Sequence, residues 1–269
     1  MKPKSKVLII AGSDSSGGAG IQADIKTITA FKSYALSVVT ALVAQNTTGV
    51  KAILDIPIDF ISEQIDCVLE DIDIDAIKIG MLNKPGVVNL ISNKIQDYPI
   101  TCPIVIDPVM VAKSGDILLT KEARSALIKN LLPHAFIITP NIPEAEIISE
   151  MHVESEDDMI SAGKVILSMG PSAVLMKGGH SKGKLVKDFL IQKNSIDVFE
   201  ENRIDTKNTH GTGCTLSAAI ATGLANKNNV KESISIAHKY VYEAIRTAPN
   251  IGKGHGPLNH MHSIKPMIF

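Results

Sequence analysis

The chain has 269 residues, 45% hydrophobic and 20% charged, and its 27 basic against 28 acidic side chains leave a formal net charge of −1. That length and apolar content suffice for a self-sufficient core, and the even charge gives no electrostatic footprint for nucleic acid or a membrane surface, so a small-molecule substrate is expected. Cys67, Cys102 and Cys214 stand far apart without CxxC or Cys/His ligand spacing, which argues against a disulfide framework or a zinc site and fits a reducing cytoplasm.

The start, MKPKSKVLIIAGSD, has a basic tip and four strongly apolar residues before glycine, too short for a signal-peptide core or a membrane span. Continuous β-branched runs at Val7–Ile10, Ser37–Ala44, Ala76–Ile79, Ile104–Ile106, Phe136–Thr139 and Ala173–Met176 read as strands buried on both faces of a mostly parallel sheet. Between them, Ile21, Ile25, Ile28 and Phe31, then Ile61, Ile65, Val68, Leu69 and Ile72, follow helical spacing, so the alternation is βαβ. After Lys177 a hairpin, Val186–Gln192 and Ser195–Phe199 around Lys193-Asn194, predicts antiparallel strands at the sheet's end, followed by helices over Gly213–Ala225 and Val230–Thr247. No repeat or linker divides the chain, and a single domain over 1–269 is expected.

GSDSSGGAGIQAD, Gly12 to Asp24, is a glycine-rich turn from the first strand into the first helix that lets a ligand approach the backbone. It is neither a Walker A loop nor a GxGxxG fingerprint, and by itself it reads equally as a tight turn. Asp107 ends the strand run in VIDPVM, and Glu144 follows another in TPNIPEAE. Ligands of open α/β sheets gather at those carboxyl ends, where two carboxylates suit Mg²⁺. Glu144 alone would read as first-turn helix charge, and Asn141 as the helix N-cap. Lys177 in VLMKGGH ends a further strand and can reach a polyphosphate, or simply snorkel.

NTHGTGCT, Asn208 to Thr215, opens the small-residue helix LSAAIATGLA, so the amides of Gly211, Thr212, Gly213 and Cys214 form an anion cradle at a helix start. A thiol placed there can be acidified, which makes Cys214 a candidate base, whereas the plain alternative is a small buried cysteine. Together these groups offer what phosphoryl transfer needs: donors around phosphates, a metal, and a group to take a hydroxyl proton.

Over essentially its whole length the chain resembles the hydroxymethylpyrimidine/phosphomethylpyrimidine kinases of thiamine biosynthesis, within the ribokinase-like kinases. The resemblance rests on AGSDSSGGAGIQADIKT at 11–27, TALVAQNTTGV at 40–50, KIGML at 78–82, IDPVMVAKSGD at 106–116, TPNIPEAE at 139–146, LMKGGH at 175–180, TKNTHGTGCTLSAAIA at 206–221 and GKGHGP at 252–257. It implies a three-layer α/β/α sandwich with a nine- or ten-strand, mostly parallel central sheet, in a homodimer. It implies a substrate pocket of Gly12, Ala19, Gln45, Met81, Val109 and Cys214, with ATP and Mg²⁺ handled by Asp107, Asn141, Glu144, Lys177 and Thr212. Asp107 and Glu144 are the metal candidates, and Lys177, Gly211, Gly213 and Cys214 the catalytic ones.

Many ribokinase-like enzymes carry Asp where this chain has Cys214. A base there would be worth tenfold or more in kcat; otherwise positioning and the cradle supply the rate. The implied acceptors are 4-amino-5-hydroxymethyl-2-methylpyrimidine and its monophosphate, with pyridoxal or pyridoxine the competing substrates. A carboxamide at Gln45 matches an aminopyrimidine edge, and Met81 packs on a ring or fills the core. A non-catalytic vitamin-binding regulator would not need the metal carboxylates, and a Rossmann dehydrogenase lacks its fingerprint. Val111–Leu118 reads as a flap, and GKGHGPLNHMHSI as a glycine-rich loop near the nucleotide whose three histidines suit no standard metal site.

Overall fold

The computed structural model describes residues 2–110, 118–180 and 183–264. Ten strands lie in it: β1 (Lys6–Ala11), β2 (Tyr34–Val39), β3 (Ala41–Asn46), β4 (Gly49–Asp55), β5 (Ala76–Ile79), β6 (Ile104–Ile106), β7 (Ile137–Ile138), β8 (Ala173–Met176), β9 (Leu185–Gln192) and β10 (Ser195–Asn202). Eight form one sheet in the order β10-β9-β8-β7-β6-β5-β1-β2, parallel from β2 to β8 and antiparallel over the hairpin β9–β10.

The helices are α1 (Gly20–Ala30), α2 (Ile58–Leu69), α3 (Pro85–Asp97), α4 (Lys121–Ala126), α5 (Ile142–Ser149), α6 (Glu156–Ser168), α7 (Thr212–Ala225) and α8 (Val230–Arg246). Alternate strand residues serve opposite faces, which makes the strand runs continuous in apolarity. Leu8, Ile10, Ile77, Ile79, Ile104 and Ile106 pack with residues of α2, α3, α5 and α6. Val7, Ile9, Ala76, Val105 and Ile137 pack with residues of α1, α7 and α8 on the other side. The result is the expected three-layer α/β/α arrangement, though Ile25, read as inward-facing, is 37% exposed.

Ser37–Ala44, read as one strand, is two. The chain leaves the main sheet at Thr40, whose amide donates to the Ala11 carbonyl and whose Oγ1 donates to the Met81 carbonyl. β3 then pairs antiparallel with β4 as a separate two-stranded sheet. The main sheet among the described residues therefore has eight strands rather than nine or ten. Strand order reverses between β1 and β5, and that switch point places their carboxyl ends at the head of a crevice. No helix among the described residues is long and apolar enough to cross a membrane. The flap reading falls on residues outside those described, apart from Leu118.

Candidate active site

The turn after β1 is organised by Asp14. Its Oδ1 accepts from the Ser16 amide (2.8 Å) and hydroxyl (2.7 Å), while Oδ2 accepts from the amides of Gly18 (3.0 Å) and Ala19 (2.7 Å) and lies 2.8 Å from His210 Nε2. Burial works to raise its pKa. Hydrogen bonds from His210, Ser16 and Gln45, with the His210 charge, outweigh this and hold Asp14 well below the usual carboxylate range. Through His210 the turn is fastened to the start of α7.

Gly211 caps α7 at φ 84°, in the left-handed region, and a Cβ there would overlap the Gly18 carbonyl, so only glycine fits. The amide of Thr212 is taken by the Thr209 carbonyl (3.3 Å), which removes one of the four donors expected of the cradle. The amides of Gly211, Gly213 and Cys214 make no hydrogen bond among the described residues and remain open to an anion. A Cβ on Gly213 would sit 3.3 Å from Lys177 Nζ and 3.5 Å from Asp107 Oδ2, so helix start, ammonium and carboxylate meet at one point.

Lys177 Nζ is 3.1 Å from Asp107 Oδ1, with side chains 13% and 2% exposed. Among the described residues the Asp107 carboxylate otherwise accepts only long bonds, 3.4 Å each, from Thr139 and Ser217. Burial pushes the Lys177 pKa down, but the carboxylates of Asp107 and Glu144 leave it raised and the ammonium charged. Burial drives Glu144 well above the ordinary carboxylate range, and Lys177 only partly opposes this. Glu144 and Asn141 form a reciprocal capping box at the start of α5, so both residues play the helix-end roles their positions suggested while also lining the cavity. Two carboxylates beside a phosphate cradle fit Mg²⁺, which takes one or two of them and fills its shell with phosphate oxygens and water. Among the described residues no third acidic, histidine or cysteine ligand converges there.

Cys214 departs from the acidified thiol. Burial pushes it up to about 12, and the Lys78 charge and the Gly20 amide offset only part of that, so the group is a neutral S–H at neutral pH. On the opposite wall Met81 packs with Ala41 and Val43, flanked by Val109 and Leu118, and a Cβ on Gly12 would meet Met81 Cε at 2.7 Å. Gln45 sits at a β-bulge in β3, and Ser15 Oγ donates to its carbonyl (2.7 Å) and accepts from its amide (3.0 Å).

A cavity of about 570 Å³ joins these parts, and every residue expected at the site lines it: Gly12, Ala19, Gln45, Met81, Asp107, Val109, Asn141, Glu144, Lys177, Gly211, Thr212, Gly213 and Cys214. The sequence reading missed Asp14, His210 and a buried Lys78–Asp24 pair. A lysine inside the apolar run of β5 was the available signal for that pair. The glycine-rich loop 252–257 lines no part of the cavity; it grips Thr47, whose Oγ1 accepts from the amides of Lys253 and Gly254 (3.1 Å each) and whose carbonyl accepts from His255 (2.8 Å). His260 lies apart from it, buried and 3.0 Å from Thr215 Oγ1.

A family model described as phosphomethylpyrimidine kinase matches residues 14–259. The hydroxymethylpyrimidine/phosphomethylpyrimidine kinase of Escherichia coli K12 is 45% identical over 259 residues, covering 95% of this chain and 97% of its own. At 45% identity the chain also spans about half, 53%, of the thiamine biosynthesis bifunctional protein ThiED of Geobacter sulfurreducens. The crystal structure of the Clostridium difficile 630 phosphomethylpyrimidine kinase superposes at a TM-score of 0.80 with 46% identity, over 90% of this chain and 99% of that one. An ADP complex of Bacillus subtilis pyridoxal kinase superposes at 0.89 with 38% identity, over 96% and 97%. On its sequence and its fold, this chain belongs to the phosphomethylpyrimidine kinase family.

Proposed function

We propose that the chain, a single-domain kinase of the cytoplasm working as a homodimer, transfers the γ-phosphoryl group of ATP to 4-amino-5-hydroxymethyl-2-methylpyrimidine and then to its monophosphate. The observation carrying this is the meeting of Lys177, Asp107 and the open amides of Gly211, Gly213 and Cys214 at one end of a cavity whose other wall is Gln45 and Met81. In the transfer, the acceptor oxygen bonds to the γ-phosphorus while the bond from that phosphorus to the bridging oxygen breaks, its electron pair leaving on ADP; the hydroxyl proton ends in solvent. Asp107 and Glu144 would hold Mg²⁺, which neutralises phosphate charge when bound. Lys177 and the helix start stabilise the charge on the moving phosphoryl group, and Gln45 reads the ring's donor and acceptor edge.

A neutral Cys214 is a contact to the hydroxymethyl group rather than its base, so positioning and electrostatics supply the rate. The homodimer is supported by Leu42 and Leu54, which stand opposite each other across β3–β4, 45% and 64% exposed.

A second reading, phosphorylation of pyridoxal, is favoured by the 0.89 superposition on a pyridoxal kinase. The test runs the pyrimidine alcohol and pyridoxal in parallel with ATP and Mg²⁺, identifies products by mass, and reads subunit number by light scattering. Turnover of the pyrimidine at least about tenfold faster, with a diphosphate product and a mass of two chains, is expected. Faster turnover of pyridoxal would overturn the substrate assignment, and a mass of one chain the dimer.

A further inference from the structure

The transfer described above leaves one buried charged pair unused. Lys78 lies inside β5, and its Nζ is 2.8 Å from Asp24 Oδ2 of α1, with both side chains fully buried. Replacing such a pair with apolar residues of similar volume is commonly neutral or stabilising, because desolvation consumes most of the attraction. Stability is therefore a poor account of it.

Its position is more informative. A Cβ on Gly80 would sit 2.9 Å from Lys78 Nζ and 3.0 Å from Ala11 Cβ, so the ammonium lies between the carboxyl ends of β1 and β5, at the switch point, where Lys78 lines the cavity. The Gly12 and Met81 wall begins immediately after those two strand ends. Among the described residues Asp24 Oδ1 has no hydrogen-bond partner, so this carboxylate is spent on Lys78 rather than closed into a structural network. Lys78 acts electrostatically on Cys214 and on Asp107 as well as on Asp24, and despite its burial its pKa is raised and its charge kept.

We propose that Lys78 is a fixed positive charge behind the acceptor group, stabilising the oxygen as it loses its proton and bonds to phosphorus, and that Asp24 is the positioning residue holding the ammonium there. Lys78 keeps its own proton throughout; the hydroxyl proton still ends in solvent. At the opposite end of the transfer Lys177 faces the phosphates, so the moving phosphoryl group passes between two lysines. This inference rests on the reading of the Cys214 end of the cavity as the acceptor site.

The test replaces the pair together, Asp24→Leu with Lys78→Met, so that no unpaired charge is buried, and compares it with Asp24→Asn, which keeps the ammonium and an oxygen acceptor. The double variant is expected to melt within a few degrees of the parent, keep its KM for ATP within about twofold, and lose about a hundredfold in kcat, the scale of a lost oxyanion donor. Asp24→Asn is expected to melt lower yet lose less kcat, an order that a merely structural pair would reverse. If the double variant does not fold, Asp24→Asn with Lys78→Met takes its place with the same expected loss. A folded double variant with kcat within about threefold of the parent overturns the inference. A parent that phosphorylates neither acceptor overturns instead the functional reading on which it rests.

Discussion

The two walls of the cavity are built by different means. On one, Asp107, Asn141 and Lys177 follow the ends of β6, β7 and β8, whose registers Ile106 to Ile138 to Val174 run straight across the sheet. Backbone ladders at about 4.8 Å spacing fix where each group stands. The other wall bears Gln45 on the β3–β4 hairpin, which shares no ladder with the main sheet. A two-stranded ribbon is marginal on its own, and this one is held by stitches: Ser13 to Ala41 and Val43, Ser15 to Gln45, Thr47 to the loop at 253–255. In the proposed function the chemistry thus stands on the laddered wall, and recognition on one that single hydrogen bonds can adjust.

Breaking the laddered wall should have the largest effect. Lys177→Ala removes the ammonium 3.1 Å from Asp107 and leaves two buried carboxylates uncompensated. We expect kcat to fall by about a hundredfold or more, read by steady-state ATP consumption; a change under about fivefold would remove Lys177 from the transfer. Cys214→Ala sharpens the contrast. An acid–base group is worth about a hundredfold or more, whereas a thiol pushed up to about 12 by burial contributes packing and contact, so the loss should stay below about tenfold. A larger loss, with a kcat that rises with pH in the parent and no longer does so in the variant, would reinstate the thiolate.

The laddered wall was also the legible one. Continuous β-branched runs predicted its strands within a residue or two, and each expected cradle or metal residue followed one of those strands or opened a small-residue helix. The hairpin was misread because Ser37–Ala44 contains no charge, glycine or proline to break it, although Ala41 and Val43 are buried while Leu42 and Ala44 are exposed, an alternation that marks a change of sheet. Asp14 and His210 lie 196 residues apart, and nothing local in either motif announces that they meet. Lys78 was visible as a charge inside an apolar strand, but its partner Asp24 is a helix residue like many others until the fold brings them together. For Cys214 the sequence leaves two readings open, because a helix start favours the thiolate and desolvation opposes it, and the raised thiol in the fold favours the neutral one.

The smallest effect on kcat is expected at the stitched wall. Thr47 stands two residues beyond Gln45, and its Oγ1 is the acceptor for the amides of Lys253 and Gly254, while the adjacent Gly256 carbonyl accepts from the His210 amide (3.1 Å). The loop at 252–257 thereby ties the recognition hairpin to the residue that fastens the glycine turn to the cradle. Thr47→Val keeps the shape and deletes the acceptor. Each of the two bonds is worth about 1 kcal/mol net, so their loss sets a ceiling of about thirtyfold on the rise in KM for the pyrimidine, with kcat and KM for ATP unchanged because only the placement of Gln45 is disturbed. A fall in kcat with KM constant would mean that the loop acts through His210 on the cradle instead, and that the two walls are one mechanical unit.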